Sequence, residues 1–390
     1  MTTGPIVQVV GSLAVGGAER VALDLAAGLA RRGRRAELWV AGPPRPPSPF
    51  EADLEAESAR RGVPLVRTPL RTVRDVPGLA RIAMRLVRER VPLVHAHNRP
   101  ENWLFAALGR ATGAVPVYTV HRSYDMTPRA RLFYGAWARA VPRVVCVSRT
   151  VAAHTEATER VPHERVRVIY NGIDLERFSP LPGDRRAALR TELGWPDDAW
   201  IWITAARLAQ PKGHVHLLDA FARLRPDRAR RLALVGDGAL RPELEAQAAR
   251  LGIAERVALL GPRSDVPALL SAADGYACAS LTEGHPLSLL EAMALGLPIV
   301  APRLESIVEI AAPDSPDLYG PSLGPLAAAH DPADLAAAMH RVEGDPGLCR
   351  RAAAGRRWVE ERFSQDAMID AYAALYDELL ARGHGRARAT

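Results

Sequence analysis

The stretch IVQVVGSLAVGGAERVALDLAAGLARRGRRAELWV, residues 6–40, holds two short, largely apolar runs, IVQVV and AELWV, around a segment whose apolar residues recur at helical spacing from 18 to 31. Strand, helix and strand in that order imply two parallel strands joined by a crossover helix. Outward from this unit the rhythm continues through PLVHA at 92–96, VPVYTV at 115–120, RVVCV at 143–147 and VRVIY at 166–170. Helical patterns near 75–90, 101–112, 128–140 and 149–160 lie between them. After the turn-rich NGIDLERFSPLPGD, 171–184, it begins again, with strands near 200–205, 232–235, 257–260, 275–278 and 299–301. The helices expected around these lie near 214–225, 240–251, 266–272, 287–296, 332–343 and 346–361. The expected α/β architecture is therefore two doubly wound, Rossmann-like domains, 1–175 and 199–364, joined by a linker at 176–198. Ligands of open parallel sheets sit outside the carboxyl ends of the strands, so two such domains are expected to face each other across a cleft. A last helix, 365–382, carries Met368, Ile369, Tyr372, Leu375 and Leu379 at helical spacing.

Length and composition agree. A chain of 390 residues is too long for one ordinary core, and 48% hydrophobic with 24% charged residues excludes a disordered or collagen-like chain. No apolar run reaches the roughly eighteen residues that span a bilayer, and MTTGPIVQVV lacks a basic leader, so a cytoplasmic protein is expected. Cys146, Cys278 and Cys349 are odd in number and far apart, which points to buried free thiols and away from redox chemistry or metal binding. The net charge of +7 is uneven: residues 1–180 carry 27 basic and 16 acidic side chains, the remainder 24 and 28. Any electrostatic partner should favour the first half. Arginine serves almost everywhere as the cation, and among 51 basic residues Lys212 alone is lysine. Such an exception suits a place where a compact ammonium is wanted.

Candidate chemistry lies in the loops after strands. Gly16 and Gly17 sit between the first strand and its helix, where backbone can approach a phosphate or a sugar closely; such a turn also occurs for purely structural reasons. The fingerprint G-x-G-x-x-G is absent, which argues against a dinucleotide oxidoreductase. His121 ends the run VPVYTV, an active-site address, although a lone histidine is often structural. His95 and His97, in VHAHNRPEN, share a strand end without an evident third metal ligand and are read as lining the cleft. In AARLAQPKGH, 205–214, Arg207 and Lys212 precede a helix, where two cations could neutralise a diphosphate or stand merely solvated. The densest signal is LTEGHPLSLLEAMALGLPIVAP, 281–302: Glu283 in a loop, Pro286 opening a helix with the amides of Leu287 and Ser288 near its start, and Glu291 within it. Two carboxylates in so apolar a segment suggest hydroxyl partners on a ligand.

At these residues the chain resembles the large group of retaining, GT-B-fold glycosyltransferases marked by two glutamates eight positions apart in an E-G-x-P, E-A-M-A-x-G-x-P frame. The likeness runs in order through GGAER, His121, NGID at 171–174, Arg207 with Lys212, VGDG at 235–238, GPRSDVPALLSAAD at 261–274 and the glutamate frame. It implies a nucleotide-diphosphate sugar as substrate, UDP-linked by family frequency, held mainly by the second domain without a cofactor. Arg207 and Lys212 would hold the diphosphate, Glu291 the ribose and Glu283 the donor sugar, helped by amides from Gly284 through His285 and Leu287 to Ser288. Gly236 and Arg263 would border the base. Gly16, Gly17 and His121 would reach across from the first domain, and the last helix would cross back to it. No D-x-D pair occurs, so Arg207 and Lys212 are expected to stand in for a metal. Two departures are visible: His285 stands where the family often has an aromatic or aliphatic residue, and 303–325 lacks the glycine that the family usually has before a Pro-Glu pair, leaving Glu309 as the aligned residue. A nucleotide-sugar epimerase and a catalytically silent sugar-nucleotide-binding subunit are the alternatives. The acceptor, whether glycan, lipid-linked or small molecule, is set by first-domain loops. In PRARLFYGAWARAVPR, 128–143, Arg129, Arg131, Arg139 and Arg143 stand among Leu132, Phe133, Tyr134 and Trp137. Such a helix suits either an anionic membrane surface or an ordinary crossover with its aromatics in the core; nucleic acid is not expected as a partner.

Overall fold

The computed structural model describes residues 4–13, 16–42, 49–68, 70, 72, 74–97, 101–123, 127–225, 227–311, 327–328 and 330–387. They form two compact units, one of Met1–Asn171 with Gln365–Thr390, the other of Gly172–Ser364.

In the first unit the strands are β1 Ile6–Val10, β2 Ala36–Val40, β3 Leu65–Arg67, β4 Leu93–Ala96, β5 Val115–Val120, β6 Arg143–Cys146 and β7 Val166–Val168. They make one sheet in the order β3-β2-β1-β4-β5-β6-β7 with every pair parallel. The helices are α1 Gly17–Arg31, α2 Pro49–Arg60, α3 Val76–Arg88, α4 Glu101–Thr112, α5 Pro128–Ala140 and α6 Arg149–Glu159. Helices on both faces leave a central parallel strand no exposed side, which is why β1 is nearly all apolar and wholly buried. Its one polar residue, Gln8, therefore needs partners inside the protein.

The second unit contains α7 Gly183–Glu192, β8 Trp200–Ala205, α8 His214–Ala222, β9 Arg230–Val235, α9 Arg241–Arg250, β10 Val257–Gly261, α10 Val266–Ala272 and β11 Gly275–Ala277. It continues with α11 Leu287–Ala294, β12 Ile299–Val300, α12 Glu305–Ala311, α13 Pro332–Glu343 and α14 Leu348–Arg362. Its five parallel strands run β10-β9-β8-β11-β12. The order reverses between β8 and β11, the position where doubly wound sheets open a crevice. α15, Gln365–Ala387, belongs to the first unit and buries Met368, Ile369, Tyr372, Leu375 and Leu379, the stripe visible in the sequence.

Four elements escape the apolar-period reading: α2, β3, α7 and α12. The stretch 176–198 is not a free linker, because α7 is anchored in the second unit by charge. Arg190, 4% exposed, bonds both carboxylate oxygens of Asp274 at 3.2 and 3.1 Å and the carbonyls of Pro196 and Ala199, while Arg186 reaches Asp274 at 2.6 Å. Asp274 in turn accepts from the amide of Ile201 at the start of β8, so a carboxylate ties the helix to the central strand of the sheet. Cys146 and Cys278 are buried free thiols, as expected of them; the side chain of Cys349 lies outside the described residues.

Candidate active site

In the second unit the loops after β8, β9 and β11 press together because glycine stands where they touch. A Cβ on Gly236 would meet the Ala206 carbonyl oxygen at 2.2 Å, and one on Gly238 the Leu208 oxygen at 2.3 Å. The Leu208 amide then reaches the Asp237 carbonyl at 2.9 Å, which fixes the Arg207 loop on the loop after β9. Gly213 has φ +64°, in the left-handed region, and a Cβ there would meet the Ala279 oxygen at 1.9 Å. Only glycine satisfies both conditions. The Leu281 amide closes the approach by donating to the Pro211 carbonyl at 2.9 Å.

This contact brings together two side chains 71 positions apart: Lys212 Nζ lies 2.5 Å from Glu283 Oε1, with Glu283 9% and Lys212 27% exposed. Behind the pair, Cys278 is a buried thiol whose pKa is raised, first by burial and then by the Glu283 charge. His214, the first residue of α8, is 1% exposed, and burial followed by the Lys212 charge lowers its pKa to about 4, so the ring is neutral at pH 7. A second cluster lies on β11 and α11: the Tyr276 hydroxyl bonds Ser288 and Thr204, with Glu291 close enough for its charge to disfavour the phenolate. No side chain caps α11 among the described residues, so the amides of Leu287 and Ser288 face outward from a helix start.

Arg207 is exposed and makes no ion pair among the described residues. Arg263 grips Asp265 through two bonds of 2.7 and 2.6 Å, which raise its pKa and lower that of Asp265. His285 is 4% exposed against the Phe363 ring, centroids 5.2 Å apart, and burial lowers its pKa to about 3. A neutral imidazole packed on a phenyl ring fills the apolar role that the family's usual residue would have. Glu309 lies half-buried on α12, and residues 312–326 fall outside the described part.

In the first unit Gly16 and Gly17 are exposed at the start of α1, and the Glu19 carboxylate stands 2.4 Å from where a Gly16 Cβ would be. His121 follows β5, where its Nε2 lies 3.1 Å from His97 Nδ1, and burial lowers its pKa to about 3. His97 and His95 are fully engaged by side chains, so neither is available as cleft lining. Among the described residues no group of three His, Cys, Asp or Glu is arranged to hold a metal ion.

Residues 15–177 match Glycosyltransferase Family 4 and residues 185–357 match Glycosyl transferases group 1. The D-inositol 3-phosphate glycosyltransferase of Salinispora arenicola is 31% identical over 320 residues, 74% of this chain and 69% of that protein. The chain belongs to the glycosyltransferases. The enzyme of the same name from Streptomyces bingchenggensis is 33% identical over 77% of this chain, which spans 64% of that relative's length. The UDP-Gal:alpha-D-GlcNAc-diphosphoundecaprenol alpha-1,3-galactosyltransferase of Escherichia coli is 30% identical over 62% of this chain and 65% of its own length. A glycosyltransferase structure from Rickettsia africae superposes with a TM-score of 0.82 at 20% identity, covering 97% of this chain and 99% of the other. Anabaena Alr3699/HepE in complex with UDP-glucose gives 0.80 at 22%, covering 96% and 100%. The fold of this glycosyltransferase is GT-B.

Of the residues singled out in the sequence, the structure joins Lys212 to Glu283 and places Ser288 and Glu291 together beside Tyr276. It gives Arg207 and Arg263 no ion pair or side-chain hydrogen bond with either cluster among the described residues. Tyr276 and His214 were not read as site residues and Cys278 was read only as a buried thiol, because nothing beside them in the sequence marks the polar partners they meet in the fold. The side chains of Phe133, Tyr134, Trp137 and Arg139 lie outside the described residues. Arg143 is a correction: it bonds Glu378 at 3.1 Å and the Pro142 carbonyl at 2.9 Å, which ties it down within its own unit.

Proposed function

We propose that this glycosyltransferase moves a hexosyl group, with retention, from a UDP-sugar to a glycan or lipid-linked acceptor, without a metal. The observation that carries the reading is the Lys212–Glu283 pair, which sets a cation and a carboxylate side by side at the carboxyl ends of β8 and β11. Breaking the anomeric bond puts negative charge on the departing diphosphate, and Lys212, Arg207 and the start of α11 are the groups that can stabilise it. Glu283 accepts hydrogen bonds from the donor sugar, Glu291 from the ribose, while Gly236 and Arg263 border the base and Gly284 and His285 shape the sugar pocket. Retention follows a front-face path with an oxocarbenium-like transition state. His121, Gly16 and Gly17 contribute from the first unit. UDP is supported by the name of the Escherichia coli relative and by the UDP-glucose complex of the Anabaena protein. A polyprenyl-diphosphate sugar is the acceptor class that the same relative supports.

The test is UDP release from UDP-sugars with and without polyprenyl-diphosphate-linked or free glycans, in excess EDTA, with the product's anomeric configuration read by NMR. Acceptor-dependent release giving a retained linkage is expected. Complete loss on chelation that manganese restores refutes the metal-free part, and sugar isomerisation without transfer refutes the whole reading.

A further inference from the structure

Beneath His121 lies a chain of buried hydrogen bonds whose polarity is fixed by its one amide. His121 Nε2 meets His97 Nδ1 at 3.1 Å, and His97 Nε2 meets Gln8 Oε1 at 2.8 Å. Gln8 Nε2 donates to the Tyr376 hydroxyl at 3.3 Å, which lies 2.5 Å from His95 Nδ1. His95 Nε2 then meets Thr119 Oγ1 at 2.7 Å, and Thr119 meets Tyr372 at 3.1 Å. Gln8, His95 and Thr119 are 0% exposed and His97 1%, so bulk solvent does not reach them.

A carbonyl oxygen only accepts, so His97 Nε2 must carry the hydrogen that Gln8 receives. Burial keeps His97 neutral, which leaves Nδ1 a lone pair. His121 Nε2 must then donate to it. A neutral His121 with its proton on Nε2 has a bare Nδ1, and that atom has no partner among the described residues.

We propose that Gln8 and His97 are positioning residues that fix the tautomer of His121, so that His121 offers Nδ1 as an acceptor to a sugar hydroxyl. The sugar contact rests on the donor-site reading above; the tautomer rests on the buried chain alone. The opposite tautomer would present N–H in the same place, a donor where a hydroxyl proton needs an acceptor. A glutamine inside an otherwise apolar central strand, and two histidines two positions apart at the end of β4, are thereby given a shared reason.

The test uses the full chain labelled with 15N and two-bond 15N–1H correlation of the imidazoles, assigned with His97→Ala and His121→Ala. The expected result is hydrogen on Nε2 and none on Nδ1 for both His97 and His121. Hydrogen on Nδ1 of His121, the pattern a reversed Gln8 amide imposes, overturns the proposal. Gln8→Glu supplies the kinetic arm. The titratable groups facing His97 are His95 and His121, with the phenols of Tyr372 and Tyr376 one step further against His95, so a carboxylate at position 8 is a new charge that raises the His97 pKa. Below that raised pKa, His97 donates from both nitrogens and reverses His121. Gln8→Glu should therefore lose kcat by about tenfold or more on the acid side, where the wild type stays level, while the donor KM moves less. Tyr372→Phe removes the far end of the chain and should leave the His121 tautomer as it is. If Tyr372→Phe and Gln8→Met scramble the tautomer equally, the role is only structural and the proposal falls. Should His121→Ala keep full turnover while the tautomers are as expected, the sugar contact fails and the tautomer assignment stands.

Discussion

At the scale of single residues the decisive contact joins Lys212 to Glu283. Glu283 is 9% exposed, so removing the ammonium strands a carboxylate that has few other partners and, on the function proposed above, withdraws a cation from the leaving group. Loss of one such electrostatic donor typically costs about 2.7–4 kcal/mol of barrier. Lys212→Ala is expected to reduce turnover about a hundredfold or more, with Lys212→Arg recovering only part, because a planar guanidinium does not fit where a compact ammonium sits. Retention of more than about a tenth of wild-type turnover by Lys212→Ala counts against the diphosphate role. Gly213→Ala should do comparable damage without touching any charge, since the left-handed φ and the Ala279 oxygen both oppose a Cβ and the loop would shift. Lys212 and Glu283 were each legible, the first as the lone lysine and the second in its motif. Their bond was not, because 71 positions separate them and only the sheet order brings them together. Gln8 and His97 stayed hidden for the same reason, their partners arriving from β1, β4, β5 and α15.

Among elements, those with an apolar period were legible and those held by other means were not. α7 reads GDRRAALRTE, and its anchor is arginine on Asp274, so no periodic apolar face exists to be found. β3 is three residues long at a sheet edge and only half-buried, too short to alternate. α15 had the stripe, and its seat explains a glycine that propensity alone would count against. Gly28 lies inside α1, where glycine costs about 1 kcal/mol relative to alanine. A Cβ there would meet Ile369 Cδ1 at 2.2 Å, with Cγ1 and Cγ2 inside 3 Å, so its absence lets α15 lie close on α1. The ion pairs along the same seam, Arg32 with Asp370 and Arg34 with Asp377, have exposed acidic partners and contribute at most about 1 kcal/mol each. Gly28→Val is expected to lower the melting temperature by several degrees and to open α15 to limited proteolysis, whereas Arg34→Ala changes either measure little. Equal effects from the two substitutions would mean that the seam is held by charge.

For the whole molecule the uneven charge is the feature that the transfer chemistry does not use. Residues 1–180 carry net +11 and the rest net −4, and the same first unit exposes its large apolar side chains on two helices. On α3, Val76, Met84 and Val87 are 70, 64 and 59% exposed, with Arg81 and Arg88 outward beside them. On α5, Leu132 is 75% exposed beside outward Arg129 and Arg131. Apolar side chains standing in water among arginines are the pattern of a surface that lies on an anionic bilayer, where each arginine adds about 1 kcal/mol and each inserted side chain adds its own burial. No described helix is long and apolar enough to cross a membrane. Arg143 is held by Glu378 and drops out of the set, which leaves Arg81, Arg88, Arg129 and Arg131 as the cations to test. Binding to vesicles is expected to rise with their anionic fraction and to fall as salt screens the charges. Arg129→Glu with Arg131→Glu should weaken it by about tenfold or more, each reversal removing one attraction and adding one repulsion. Met84→Asp should weaken it at every salt concentration, because its loss is of burial and not of charge. Vesicle binding that ignores both the lipid charge and these substitutions would place the basic half at some other task and move the acceptor toward a soluble glycan.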